Sequence, residues 1–320
     1  MGFNLSRHGA NRMIQARLVR LLVAAILFAS VVAQSLPANA VDAPEPPEIA
    51  AENAIVLSDF NEVLYDRNAH QRTAMASTTK IMTAIVAARY GNLEQEILID
   101  ESDIVGEATM GLWAGETVKL RDLLYGLLLP SGNDAAHAIA RTVGWKADTT
   151  DAEQAVGNFV ALMNQTAREY QLRDTHFANP HGLDEFGHYS TPFDLAIMLR
   201  AALNYDVIRE TMQTLSVNAG GHELWNGNRL YGMRDDIIGG KTGYTETANF
   251  CLAAAATRNG RFVIAVVTRD SGESWFWDVS QLLDWGLIAA DRKGVPSGVD
   301  ANLIGTHFNQ QVPTIRQGSP

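Results

Sequence analysis

The chain has 320 residues, with 25 Lys+Arg against 36 Asp+Glu, a net charge of −11, and 47% apolar residues. That apolar fraction beside 19% charged residues is enough to bury a core, which excludes disordered and collagen-like polymers. The single cysteine, Cys251, excludes an intramolecular disulfide framework and any Cys-rich zinc or iron–sulfur site.

In chain order, residues 1–40 carry the pattern of a secretory signal peptide. Arg7, Arg12, Arg17 and Arg20 supply a basic start, residues 21–33 form an apolar run, and Ala38-Asn39-Ala40 is a small-residue cleavage pattern with the cut after Ala40. The run is shorter than the roughly 20 residues that span a bilayer, so it fits a removed signal better than an anchor. Removal takes away four Arg and no acid, leaving 21 basic against 36 acidic residues, a charge of −15. Such a surface repels nucleic acid, and none is expected as a partner.

Residues 41–53, with Pro44, Pro46 and Pro47, read as a linker. The folded part is expected over 54–291. Ile55-Val56-Leu57 and Val63-Leu64-Tyr65 flank a polar stretch and predict a hairpin. Helices follow over 78–89, 120–129, 134–143, 151–170 and 192–203, the last with Thr191 as cap and Pro192 in its first turn. A second hairpin joins 250–256 to 262–268 through Asn259-Gly260. A final amphipathic helix over 275–290 is expected to pack Trp275, Trp277 and Trp285 on the sheet, ahead of a flexible tail at 292–320. The order predicts an α/β (α+β) fold: an antiparallel sheet built from both chain ends, flanked by helices, with an inserted all-helical subdomain and a site at their junction.

Ser77-Thr78-Thr79-Lys80 lies where the first helix begins. A spacing of three places the Lys80 ammonium one turn beyond the Ser77 hydroxyl on the same face, pairing a nucleophile with a base. A serine hydroxyl is a weak nucleophile until a neighbour takes its proton, and lysine can do so only if burial or another cation lowers its pKa. The Ser77 amide, at a helix N-terminus, also points where an oxyanion would form. By itself the spacing equally fits a capping serine and a solvated lysine. Ser131-Gly132-Asn133 sits on a tight loop between two apolar helices, able to face a cleft or merely to cap a helix. Lys241-Thr242-Gly243 sets a cation and a hydroxyl on a strand just before the second hairpin, with Gly243 admitting close approach of backbone and ligand.

Other groups read more plainly. His176, His181 and His188 with Asp184 are ligand-type residues. Their spacing matches no helical face and is broken by Pro180 and Gly182, which predicts a structural loop bordering the cleft and no metal. Cys251 lies in an apolar run and reads as buried. The acidic stretches 59–66 and 100–103 read as solvated surface.

The three motifs together resemble those of the penicillin-binding proteins that act as serine D-alanyl-D-alanine carboxypeptidases, within the serine β-lactamase and transpeptidase-like superfamily. They stand in the family's order at intervals of 54 and 110 residues, and a family-like stretch, Thr175-His176-Phe177-Ala178-Asn179-Pro180-His181-Gly182-Leu183-Asp184, falls between the second and third. The resemblance implies that Ser77 attacks the penultimate D-alanine carbonyl of a peptidoglycan stem peptide while Lys80 accepts its proton. Ser131 would relay a proton to the departing D-alanine, and Asn133 would bind the substrate's backbone. Lys241 and Thr242, beside Gly243, would hold the terminal carboxylate, and the amides of Ser77 and Tyr244 would form the oxyanion hole. Water would release the acyl-enzyme with no cofactor, and β-lactams would act as covalent inhibitors. The implied location is exported, periplasmic or extracellular, and associated with the cell wall.

A class A-like β-lactamase is the nearest alternative, but that class shows Ser-Asp-Asn and a Glu-x-x-x-Asn segment. Here Ser131-Gly132-Asn133 and Glu169-Tyr170-Gln171-Leu172-Arg173 depart from both. A sensor of β-lactams or muropeptides that acylates once would need a membrane-spanning partner segment, which signal removal leaves unsupplied. Larger relatives carry an extra β-rich domain and a C-terminal amphipathic anchor. Only about thirty residues follow the last predicted helix, so no C-terminal anchor is expected.

Overall fold

The structure, a computed structural model, describes residues 44–272 and 274–292. The expected signal peptide and the tail beyond residue 292 lie outside the described residues. Strand β1 (Asn53–Ser58) turns into β2 (Val63–Arg67), and a 3-10 turn, Ala76–Thr79, leads into helix α1 (Lys80–Tyr90). A ribbon of β3 (Glu96–Leu98) and β4 (Thr117–Lys119) precedes helices α2 (Leu120–Leu128), α3 (Asn133–Val143), α4 (Ala152–Glu169), α5 (Pro192–Ala202) and α6 (Asp206–Gln213). A second ribbon, β5 (Ser216–Ala219) with β6 (His222–Trp225), and the short helix α7 (Leu230–Met233) lead to β7 (Ile237–Thr245), β8 (Asn249–Arg258), β9 (Arg261–Asp270) and helix α8 (Trp275–Arg292).

The main sheet runs β2-β1-β9-β8-β7 with every neighbour antiparallel, so strands from the two ends of the domain meet at β1 and β9. Successive side chains of a strand point to opposite faces, and here both faces are covered. Leu252, Ala254, Ala256, Val263, Ala265 and Val267 join Val279, Leu282, Leu283 and Leu287 of α8 in one core. Ala253, Ala255, Phe262, Ile264 and Val266 join α1, α2 and α5 in the other. A sheet buried on both sides needs apolar residues at every position, which is why β8 and β9 read as unbroken apolar runs rather than alternating ones. Alanines keep the layers close.

Local signals place the helices as expected. Thr191 caps α5, its side chain accepting from the Asp194 amide, and Asp151 does the same for α4 through Gln154. The inserted region also holds the β3–β4 and β5–β6 ribbons, whose strands of three and four residues are too short to show an alternating pattern. Helix α6 likewise had no sequence expectation, because its apolar stripe reduces to Val207, Ile208 and Met212.

Three details differ from or sharpen the sequence reading. Trp275 and Trp285 pack near the sheet, tilted against Phe250 and edge-on to Tyr65 respectively, but Trp277 is 60% exposed: it lies on the outer face of α8. Asp103, expected on a solvated acidic surface, is fully buried, capped into a 3-10 turn and paired with Arg141 at 2.6 Å and His137 at 3.0 Å. Residues 44–52 form neither helix nor strand before β1, yet they are tied to α8: Trp285 donates to the Pro44 carbonyl at 2.7 Å, and Asp278 accepts from the Ala50 and Ala51 amides.

Leu283 is fully buried between α8 and the sheet. Leu283→Ala should lower the unfolding free energy by about 2–5 kcal/mol in a urea titration, and a loss under about 1 kcal/mol would contradict the packing described.

Candidate active site

The backbone brings Ser77 and Lys80 together before any side chain is considered. Ser77 lies in the 3-10 turn and Lys80 begins α1. At three residues per turn, positions three apart eclipse one another, a closer pairing than α-helical geometry gives. Lys80 Nζ stands 2.9 Å from Ser77 Oγ. Ala76, just before the serine, has φ +46, and Ser131 has φ +68. Left-handed backbone at non-glycine residues persists only where the surroundings enforce it, and of the eight such residues among those described, these two flank the site.

Lys80 is fully buried. Besides Ser77, its Nζ contacts Asn133 Oδ1 at 2.7 Å and the His181 carbonyl at 2.6 Å. Burial first, and the facing charge of Lys241 second, hold its pKa well below the ordinary lysine value, with Asp134 opposing. The neutral amine has two N–H donors and one lone pair. Asn133 Oδ1 and the His181 carbonyl can only accept, so the donors go to them and the lone pair faces the Ser77 hydroxyl. Two fixed carbonyls would thus aim the lone pair of an uncharged Lys80 at the Ser77 hydroxyl.

The second lysine lies on β7, the edge strand of the sheet. Lys241 Nζ donates to Ser131 Oγ and to the Thr242 carbonyl, each at 2.9 Å. Burial pushes its pKa down to about 7. Gly243 explains how β7 approaches the Ser77 turn: a Cβ there would stand 2.9 Å from the Ser77 amide nitrogen and 3.1 Å from Ala76 Cβ. Tyr244 follows, more than half exposed, its ring 4.6 Å from that of Phe250. Hydrogen bonds thus join Ser77, Lys80 and Asn133 in one set and Lys241 with Ser131 in a second, the two lysines facing each other electrostatically, and Thr242 and Gly243 border them.

The 175–190 segment borders the same groups, as its sequence suggested. His188 Nδ1 accepts from the Ala178 amide at 3.0 Å, which leaves the proton on Nε2 to reach Thr79 Oγ1 at 2.7 Å; Thr79 in turn donates to the Ala76 carbonyl at 2.8 Å. Burial lowers the pKa of His188 to about 4 and of His181 to about 3, so both are neutral imidazoles at physiological pH. Asn179 accepts from the Gly182 amide, and Asp184 accepts from Thr245 Oγ1 at 2.8 Å, joining the loop to the end of β7. Cys251 is fully buried, and burial raises its thiol pKa to about 12. Among the described residues no cluster of three or more His, Cys, Asp or Glu could hold a metal ion.

Three contributors escaped the sequence reading. The His181 contribution is a main-chain carbonyl, for which no side-chain pattern exists. Thr79 and His188 are 109 positions apart and meet only in the fold. Asp134 had a visible signal, an acid next to Asn133 at a helix start, which resembles an ordinary helix-dipole residue.

The chain is similar in sequence and fold to known proteins. A sequence family described as D-alanyl-D-alanine carboxypeptidase matches residues 40–272. The D-alanyl-D-alanine carboxypeptidase DacF of Bacillus subtilis is 35% identical over 230 residues, 68% of this chain and 57% of that protein. DacD of Salmonella typhimurium, of the same description, is 35% identical over 295 residues, 83% of this chain and 70% of that protein. The chain thus spans little more than half the length of the Bacillus relative. The crystal structure of the Streptomyces K15 DD-transpeptidase superposes with a TM-score of 0.69 at 31% identity, covering 75% of this chain and 98% of that one.

Gly182 has φ +93, and a Cβ there would stand 2.0 Å from the Ala76 carbonyl oxygen. Gly182→Ala must displace either the loop or the Ala76–Thr79 turn. It should lower the unfolding free energy by about 1–3 kcal/mol in a urea titration, whereas an unchanged midpoint would mean that the loop does not seat on Ala76.

Proposed function

The chain belongs to the D-alanyl-D-alanine carboxypeptidase family, a family of serine peptidases, and from that premise we propose that it removes the terminal D-alanine from peptidoglycan stem peptides through an acyl-enzyme on Ser77. The observation that carries the reading is the Lys80 amine, fully buried and 2.9 Å from the Ser77 hydroxyl, with its other contacts all to acceptors.

Lys80 takes the Ser77 proton as the oxygen attacks the penultimate D-alanine carbonyl. The Ser77 and Tyr244 amides stabilise the developing oxyanion. Asn133, whose carbonyl is already held by Lys80, turns its NH₂ to the substrate's backbone. β7 is an edge strand, so an extended stem peptide can lie along it, which places the terminal carboxylate near Thr242 and the Lys241 ammonium. As the C–N bond breaks, Ser131, hydrogen-bonded to Lys241, relays the proton that Lys80 took from Ser77 to the departing D-alanine nitrogen, which returns Lys80 to its amine form. Water then cleaves the ester. β-Lactams, which imitate the D-alanyl-D-alanine end, form the same ester on Ser77.

The wall polymer lies outside the cytoplasm, so this reading requires export, and the basic start and apolar run of residues 1–40 support it. Among the described residues no helix is long and apolar enough to cross a membrane.

Purified protein should release D-alanine from a pentapeptide over many turnovers. A single stoichiometric burst would favour a sensor instead, and fast hydrolysis of penicillin a β-lactamase. Ser77→Ala should abolish both release and labelling by a fluorescent penicillin, and persistent labelling would remove Ser77 from the role. The two lysines set opposite limbs of the pH profile. Activity should fall in acid as Lys80 gains a proton, and fall above about pH 7 as Lys241 loses the charge that captures the carboxylate. Lys241→Ala should erase the alkaline limb while raising KM; a limb unchanged in that variant would reassign it.

A further inference from the structure

We infer that Asp134 is a positioning residue of this site: its buried carboxylate gathers the 109–112 segment into the wall beside Asn133 and sets the charge environment of the general base. The inference rests on the reading of Lys80 as that base.

Asp134 is 1% exposed and follows Asn133 directly in the first turn of α3. Its Oδ1 accepts from the amides of Met110 at 2.9 Å and Ala135 at 2.8 Å. Its Oδ2 accepts from the Thr109 hydroxyl and from the amides of Met110, Gly111 and Leu112, each at 3.1 Å. One carboxylate therefore holds four consecutive residues of a loop. The residues just before that segment enclose Asn133: the Ala108 carbonyl accepts from the Asn133 amide at 2.7 Å, and a Cβ on Gly106 would stand 2.5 Å from Asn133 Nδ2. Gly132 is required as well, since a Cβ there would meet Asp134 Oδ1 at 2.6 Å and the Met110 amide at 2.8 Å. Because Asn133 Oδ1 orients the Lys80 amine, the position of the base depends on this packing at one remove.

Every donor to Asp134 is neutral, and it takes part in none of the ion pairs found among the described residues. Asp103, by contrast, has Arg141 against it. No charged partner among the described residues cancels the charge of Asp134, so its field extends to Lys80. Lys241 on β7 opposes it there, while His181 and His188 of the neighbouring loop are kept neutral by burial. Burial and Lys241 together would strip Lys80 of basicity. Asp134 returns part of it, and a proton acceptor whose pKa falls too far accepts poorly.

The test is the second-order rate of Ser77 acylation by a fluorescent penicillin across pH, measured on the full chain. Asp134→Asn should move the acid limb about one pH unit lower and reduce the plateau about tenfold. Thr109→Val removes one neutral donor from the same carboxylate and should reduce the plateau without moving the limb. A lowered plateau with an unmoved limb in Asp134→Asn would overturn the electrostatic role, and so would an equal limb shift in Thr109→Val. Should Asp134→Asn fail to fold, Asp134→Ser, which keeps an acceptor and removes the charge, carries the same expectation; failure of both beside a folded Thr109→Val would leave Asp134 a purely structural residue and overturn the inference. A wild-type protein that shows no acid limb sinks the assignment of Lys80 as base, whereas a normal wild-type limb that Asp134→Asn leaves in place sinks only the role given to Asp134.

Discussion

Taking the charge of a lysine fully out of water is costly, and the site is organised around that cost. Lys80 has no exposed surface, no carboxylate among the described residues within hydrogen-bond reach and a second buried lysine facing it. On the proposed reading, the unfavourable ammonium becomes a useful amine. Its two acceptor partners come from separate parts of the chain, Asn133 on α3 and His181 on the 175–190 loop, and the remaining valence meets Ser77. Removing any one of these elements would leave a buried amine with a free direction, and the lone pair would no longer be committed to the hydroxyl.

The fold supplies this arrangement through its topology. Strands from both ends of the domain pair at β1 and β9, which makes the sheet a rigid floor covered on both faces and leaves β7 at its edge. The inserted region returns the chain twice to the same place, once at the α2–α3 junction and once at the 175–190 loop. Small residues set the clearances: Gly243 lets β7 reach the Ser77 amide, and Gly182 lets the loop reach the Ala76 carbonyl. Neither position can carry a side chain without moving a part of the machinery.

Much of this was legible in the sequence because the decisive signals are local. The Ser77–Lys80 spacing, the Thr191 cap with Pro192, and the apolar runs on either side of Asn259-Gly260 each report on their own neighbourhood, and each appears in the structure where it was expected. What could not be read depends on partners distant in sequence. Asp103 looked like a surface acid because Arg141, 38 positions away, gives no sign of being its partner. Trp277 looked like a core residue because an aromatic on an amphipathic helix usually is one, but the face it occupies points away from the sheet. The His181 carbonyl is a main-chain group and invisible to any pattern of residue types.

The central claim is that Lys80 is an uncharged amine at the pH where the protein works. The most direct measurement is an NMR titration of isotopically labelled lysine side chains in the intact protein, with the Lys80 resonance assigned by its absence from a Lys80→Met variant. The account predicts that Lys80 titrates far below the ordinary lysine value of about 10.4. A Lys80 resonance that stays protonated through neutral pH and titrates with the surface lysines would contradict it.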